Sequence, residues 1–189
     1  MAEMLEIRWH GRGGQGAKTA ALLLAEAAAA VGKYVQAFPE YGPERMGAPV
    51  VSYNRISNQP ITLHSAVASP RYVVVLDPSF IGSIDFTAGM LPDGVLLINS
   101  SESSSAMRKR LKLGSEETKV YTLDASRISE ETIGRPIPNT PMLGAVVAAT
   151  NIMTVDQLLE DTRKRLERKF RNRPELIDGN MAAISQAYE

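Results

Sequence analysis

Four glycines fall within six residues, Gly11-Arg12-Gly13-Gly14-Gln15-Gly16, between a strand-like segment, Met4 to Trp9, and an alanine-rich run, Ala17 to Val31. Glycine adopts positive φ without steric cost and lets a backbone approach a ligand closely. When such a turn opens a helix, unpaired N–H groups and the positive end of the helix dipole converge on one spot. That spot favours a phosphate, a pyrophosphate or a carboxylate. Two continuous apolar runs, Tyr72 to Leu76 and Gly94 to Ile98, end in Asp77-Pro78 and Asn99-Ser100. Such runs indicate strands buried on both faces of a sheet, and polar residues just past them fall at the carboxyl edge, where open α/β sheets place ligands.

The remaining pattern is that of alternating elements. A second strand is expected from Lys33 to Phe38, short strands from Val50 to Ile56 and Pro60 to His64, and another from Lys119 to Leu123. Between Glu40 and Val50 the proline- and glycine-rich stretch Tyr41-Gly42-Pro43-Glu44-Arg45-Met46-Gly47-Ala48-Pro49 reads as a shaped loop. It is either a solvent loop or part of a binding site that presents Glu44 and Arg45. Helices are expected from Ala106 to Leu113, with its basic residues on a solvated face, and from Met142 to Thr150, with Thr140 as cap and Pro141 in the first turn. Thr154 and Gln157 have capping-box spacing ahead of an amphipathic helix, and a last helix runs from Pro174 to Tyr188. The Ala17–Val31 helix is so apolar that it must be covered on more than one side, by its own domain or by another subunit. No repeat or linker divides the 189 residues, so one domain, 1–189, is expected.

Composition removes several kinds of chemistry. Lysine plus arginine and aspartate plus glutamate each number 21, which gives no general electrostatic argument for a nucleic-acid or membrane partner. There is no cysteine, so thiolate catalysis and disulfides are excluded, and this chain alone cannot hold an ordinary iron–sulfur cluster. With only two histidines, His10 and His64, a protein-held metal is not expected. The N-terminus lacks the pattern of a signal peptide and no apolar run spans a bilayer, which leads to the expectation of a cytoplasmic protein.

Gly11, Gly13 and Gly16 have the spacing of a dinucleotide fingerprint. A dinucleotide enzyme also needs an acidic residue at the end of the second strand, and Glu40, preceded by Pro39, fits that place poorly. The same residues nearly form a P-loop, but Ala17 separates Gly16 from Lys18, and one added helical residue turns the lysine by roughly 100°. An ordinary ATPase is therefore excluded. His10 abuts the turn, either as hydrogen-bonded packing or as a general base, and no nucleophile–base set accompanies it.

The run Ile7-Arg8-Trp9-His10-Gly11-Arg12-Gly13-Gly14-Gln15-Gly16-Ala17, with Gln36-Ala37-Phe38-Pro39 and Tyr41 through Val50, resembles the gamma subunit of the pyruvate:ferredoxin oxidoreductase (pyruvate synthase) family. Asn139-Thr140-Pro141-Met142-Leu143-Gly144-Ala145 and the Pro174–Tyr188 segment are similar to the same family. The resemblance implies a three-layer α/β/α fold with a mainly parallel, Rossmann-like sheet. It implies a complex in which a 2-oxoacid and coenzyme A become an acyl-CoA and carbon dioxide while ferredoxin is reduced. Thiamine diphosphate, magnesium and the iron–sulfur clusters are then expected on alpha, beta and ferredoxin-like delta partners, with no catalytic residue on this chain. Within it, Gly11, Arg12, Gly13, Gly14, Gln15, Gly16, Glu44 and Arg45 are the candidates for contact with coenzyme A. Backbone N–H groups from Gly13 to Gly16 would form an anion cradle, and Arg12 or Arg45 would neutralise charge. Alternatively these residues serve only subunit assembly, or the chain is a stand-alone dinucleotide-binding oxidoreductase. The forms Arg8-Trp9-His10 and Gly47-Ala48-Pro49-Val50 look more like the pyruvate type than the 2-oxoglutarate type, and Arg45-Met46 leaves a branched-chain oxoacid open.

Overall fold

The apolar runs become adjacent strands of one sheet. In a computed structural model describing residues 4–40, 47–114 and 117–189, the strands are β1 (Leu5–Arg12), β2 (Tyr34–Pro39), β3 (Pro49–Ser57), β4 (Tyr72–Val75), β5 (Val95–Asn99) and β6 (Lys119–Leu123). The helices are α1 (Ala17–Ala30), α2 (Ser104–Arg110), α3 (Ala125–Ile133), α4 (Asn139–Thr150), α5 (Val155–Lys169) and α6 (Pro174–Tyr188). The strand order is β2-β3-β1-β4-β5-β6. β3 pairs antiparallel with both β1 and β2, whereas β1–β4, β4–β5 and β5–β6 are parallel. Five strands therefore point one way and β3 the other.

The two sheet faces are covered unequally. On one face Ile7, Trp9, Val74 and Leu97 pack with α1, α4, α5 and α6. The Trp9 indole donates to Asn54 Oδ1 at 2.8 Å, and Asn54 Nδ2 donates to the Ala21 carbonyl at 2.8 Å, so β1, β3 and α1 are tied through one buried amide. The alanines of α1 let it lie close to β2 and β3 beneath α5, the within-domain burial expected of it, although Leu22 stays 48% exposed. On the other face Val73, Val75, Leu96 and Ile98 pack with Phe86, Met107 of the short α2, Val120 and nearby coil. The layered α/β/α arrangement holds, with one helical layer much thicker than the other.

Several boundaries differ from expectation. β1 continues through Gly11 and Arg12 because β3 pairs with it to the end, Arg12 facing Pro49. Residues 60–64 form no strand; the carbonyls of Leu63, Ser65 and Ala66 instead accept hydrogen bonds from the Gln36 and Arg55 side chains. α2 begins before Ala106, capped by Ser103, whose side chain accepts from Ala106 N, and it stops at Arg110. α3 was not anticipated, although Asp124 caps it by accepting from Arg127 N and Gly134 ends it in the left-handed conformation. α4 starts at Asn139, so Thr140 lies inside the helix and does not cap it. The Thr154–Gln157 capping box forms in both directions. Among the described residues no helix is long and apolar enough to cross a membrane.

α4 and α6 meet backbone to backbone at Gly144, where an added Cβ would sit 2.2 Å from the Ile184 carbonyl oxygen and 3.2 Å from Tyr188 N. Neither neighbour is a flexible side-chain tip, so the helices must separate. Gly144→Ala is expected to lower stability by about 2–3 kcal/mol, the scale of an overpacked core. Urea titration reads this as a lower midpoint at constant slope, and an unchanged midpoint would contradict the close packing.

Candidate functional site

The chain leaves β1 toward β2 and β3 on one side and leaves β4 toward β5 and β6 on the other. β1 and β4 thus flank the topological switch point, and the crevice outside their carboxyl ends is where a ligand has room to enter. Gly13 to Gly16 cross one side of this crevice and Asp77 to Ser79 the other.

The turn is closed by its own residues. Gln15 N donates to the Arg12 carbonyl at 2.9 Å, and Arg12 N donates to Gln15 Oε1 at 2.8 Å. Gly13 N donates to the Ala48 carbonyl at 2.8 Å, fastening the turn to the start of β3. Gly14 and Gly16 have φ of +97° and +85°, which side-chain-bearing residues rarely adopt. A Cβ on Gly16 would also lie 2.5 Å from Asn139 Nδ2. Gly11, by contrast, is buried in the ladder, where a Cβ would meet only ordinary contacts at 3.4–3.5 Å.

Arg12 is held on every side. Its Nε donates to Asp77 Oδ2 at 2.8 Å, Nη1 to the Gly47 carbonyl at 2.8 Å and Nη2 to Ser79 Oγ at 2.9 Å, and the guanidinium lies over the Phe80 ring at 4.4 Å. Asp77 also accepts from Gln15 Nε2 at 3.1 Å and from Ser79 N at 3.0 Å. Burial pushes the Asp77 carboxyl upward, but the hydrogen bonds from Ser79 and Arg12 and the Arg12 charge outweigh it and hold the group below its ordinary value. The Arg12 charge is consequently met inside the chain.

Among the four expected cradle donors, Gly13 N and Gln15 N donate within the chain. The N–H groups of Ala17, Lys18 and Thr19 open α1, where no side chain caps the helix and no acidic residue occupies the first turn. Glu44 and Arg45 lie outside the described residues, on the connection between β2 and β3. Asp77, Ser79 and Asn139 join the site without having been singled out. Asp77 was legible as a polar residue past a strand, but nothing local pairs it with Arg12, 65 residues away.

A dinucleotide site fits this edge poorly. Antiparallel β3 stands between β1 and β2, so the residue beside Arg12 is Pro49 and Glu40 lies one strand further out, accepting from Tyr53 Oη at 2.8 Å. Burial first, then the Glu40 contact, pushes Tyr53 up to about 12. His10 is 7% exposed and packs edge-on against Phe86 at 5.0 Å, and neither ring nitrogen has a hydrogen-bond partner among the described residues. Burial, reinforced by Arg8, pushes it down to about 4. It is neither hydrogen-bonded packing nor a base poised near neutrality. The basic residues of α2 turn outward, Arg110 to Glu102 at 2.6 Å and Arg108 to the Thr118 carbonyl. No group of three potential metal-ligating His, Cys, Asp or Glu residues occurs among the described residues.

The family model for pyruvate ferredoxin/flavodoxin oxidoreductase matches residues 6–189. The chain belongs to this family. It is a gamma subunit of a pyruvate or 2-oxoacid ferredoxin oxidoreductase. Similar gamma subunits include the pyruvate/ketoisovalerate oxidoreductases common subunit gamma of Pyrococcus furiosus, 43% identical over 98% of this chain and 96% of that one. Pyruvate synthase subunit PorC of Thermotoga maritima is 46% identical over 97% of this chain and 93% of that one. The crystal structure of pyruvate oxidoreductase subunit PORC from Thermotoga maritima superposes with a TM-score of 0.83 at 43% identity, covering 98% and 96% of the two chains. The gamma subunit thus brings the glycine turn to the switch point already described.

Two pH-dependent outcomes follow for the isolated gamma subunit. His10, ordinarily near 6.5, stays neutral in the fold to about 4, so the unfolded chain binds the extra proton and stability declines as pH falls across that window. The loss approaches about 3 kcal/mol, and His10→Phe should flatten this part of a stability–pH curve. Asp77 acts in the acid range. Its folded pKa is depressed, so its contribution is full above the ordinary carboxyl value and is lost as pH falls through the folded value. Asp77→Ala should cost about 2 kcal/mol at neutral pH for the broken charge-assisted bonds, with the gap to the parent narrowing in acid. A constant gap from pH 7 to pH 3 in denaturant titrations would contradict this.

Proposed function

We propose that this gamma subunit is a noncatalytic part of a thiamine-dependent pyruvate:ferredoxin oxidoreductase. In that reaction pyruvate and coenzyme A give acetyl-CoA and carbon dioxide, and the two electrons released pass to ferredoxin. Thiamine diphosphate and magnesium, which supply the decarboxylation chemistry, and the iron–sulfur clusters would be carried by alpha, beta and ferredoxin-like delta subunits. The cysteine-free sequence suits that division. The proposed contribution of this chain is assembly and reception of coenzyme A, in a cytoplasmic complex.

The observation that carries the proposal is the glycine turn, held rigidly at the switch point, with the uncapped N-terminus of a 14-residue helix behind it. An anionic phosphate chain meets free N–H groups and a positive dipole end there. Gly13 and Gly14 would provide close backbone approach, while Arg12 and Gln15 hold the turn in shape from beneath. Glu44 and Arg45 would join from the adjoining connection. The name of the Pyrococcus furiosus relative makes it common to pyruvate and ketoisovalerate enzymes. By analogy, selection of the oxoacid side chain is assigned here to other subunits, with pyruvate favoured and a branched-chain oxoacid as the alternative.

The test is an affinity pull-down of the tagged chain from its anaerobically lysed host, with dye reduction measured on the eluate. The purified chain alone should be inactive. The eluate should contain cysteine-rich and thiamine-binding chains and reduce dye only when pyruvate and coenzyme A are both present. A single inactive band that binds a dinucleotide would overturn the proposal in favour of a stand-alone nucleotide-binding protein.

A further inference from the structure

β6 ends the sheet on one side, with no strand beyond it among the described residues. In a parallel ladder alternate residues turn both backbone groups toward the same neighbour. Lys119 N donates to the Gly94 carbonyl, and the Leu123 carbonyl accepts from Ser100 N, each at 2.9 Å. Lys119, Tyr121 and Leu123 therefore face β5, and the N–H and C=O groups of Val120 and Thr122 point outward, where no described residue bonds them. Such a row is a template for a further strand. β6 contains no proline, and its register with β5 runs without a bulge, so nothing in the strand itself blunts the edge.

The face of β6 toward α4 is incompletely covered. Tyr121 is 50% exposed beside a cavity of about 540 Å³, whose walls include Leu97, Leu123, Ala145, Ala148 and Glu189. Charge is unevenly distributed along this edge. Lys119 is exposed at the start of β6, whereas Glu189 shares the cavity wall with Leu123 at the end of the strand. The start of one β6 is thus complementary to the end of another, which favours antiparallel pairing of two identical edges. Such an interface is isologous and closes on itself.

We propose that β6 is the seam between two copies of this gamma subunit, paired antiparallel about a two-fold axis at Tyr121 so that their sheets become one. The inference goes beyond the reception of coenzyme A and does not depend on it. In this register Val120 of one copy exchanges both backbone bonds with Thr122 of the other, and every outward group of the strand is paired. Displacement by two residues would set Thr122 against Thr118 or Val120 against Asp124. The Thr118 carbonyl already accepts from Arg108, and Asp124 caps α3. The two Tyr121 residues meet at the axis as a non-hydrogen-bonded pair, with Cα atoms about 4.5 Å apart. Their rings lie on the same face and cover the two cavities, as cross-strand aromatic pairs do. Lys119 falls opposite Leu123 of the other copy, on the side where that copy carries Glu189. A single strand pair is a small interface, at or below about 1,200 Å², so the free chain should associate in a concentration-dependent way.

The chain has no cysteine, so Tyr121→Cys places a single thiol at the axis. In the assembled oxidoreductase, mild oxidation should link two gamma chains through it, because the paired Cα separation lies within disulfide range. Glu160→Cys, exposed on α5, should give no such link. A disulfide from Tyr121→Cys to a different subunit, or no link between gamma chains in an assembled variant, overturns the proposal. Should the cysteine variant fail to assemble, sedimentation velocity on the purified full chain decides the matter. The unmutated chain should pass from monomer to dimer as its concentration rises. Lys119→Glu should weaken the dimer about fivefold, and Lys119→Glu combined with Glu189→Lys should restore it. Thr122→Pro removes an outward donor at a position where an edge strand tolerates proline, and should leave a monomer. A chain that is monomeric throughout, or a dimer indifferent to these substitutions, overturns the seam.

Discussion

The ion pair between Arg12 and Asp77 is the constraint on which the rest of the site depends. It spans the switch point, joining the end of β1 to the segment after β4, and Arg12 reaches on to Gly47 and Ser79. Arg12 is 39% exposed while Asp77 is 11% exposed, so Coulomb attraction is partly screened from one side. Its importance lies in geometry. A planar guanidinium with three directed bonds and a ring beneath it fixes three chain segments relative to one another. Gln15 completes the arrangement by bonding both the Arg12 backbone and the Asp77 carboxylate. Gly14 and Gly16 hold their left-handed conformations within this frame.

The sheet divides into halves of different character. β4 and β5 are apolar on both faces and form the rigid centre. On β1 and β3 the face away from α1 is polar: Glu6 pairs with Arg55 at 2.8 Å, Arg8 donates to the Phe86 carbonyl, and His10 is buried above them. Coil, not helix, supplies the acceptors for Arg55 at Ser65 and Ala66. The polar half of the sheet is thus held by individual side-chain bonds, with Arg8 Nε, both His10 nitrogens and Ser52 Oγ buried without a partner among the described residues, whereas the apolar half is held by packing. Removal of a single partner is correspondingly more costly on the polar half, because a buried charge or amide is left without its bond.

Much of the fold was legible because its signals are local. The strand positions follow from apolar runs, α5 from the Thr154–Gln157 box, and α6 from Pro174 at its first turn. The missed α3 also had local signals, Asp124 before it and Gly134 after it, but its polar composition concealed them. Residues 60–64 misled in the opposite sense. Their composition suits a strand, yet they pair with neither edge strand, and the Leu63 carbonyl instead accepts from the Gln36 side chain of β2. At the site, a turn needing positive φ was readable from the run of glycines, but which of the four adopt it, Gly14 and Gly16, was decided by the fold.

By itself the sequence determined an α/β chain with a strand–glycine turn–helix unit, no cysteine chemistry, and the motifs that place it among gamma subunits. Those properties depend on residue identity and on spacing within a few turns. Tertiary structure alone decided that antiparallel β3, and not β2, lies beside β1, that the Arg12 charge is met by Asp77, and that α1 and α4 begin at the same point. Each of these joins segments distant in the chain. Their pairing is set by competition for sheet positions and by the close approach of Asn139 to Gly16, neither of which leaves a periodic or local trace.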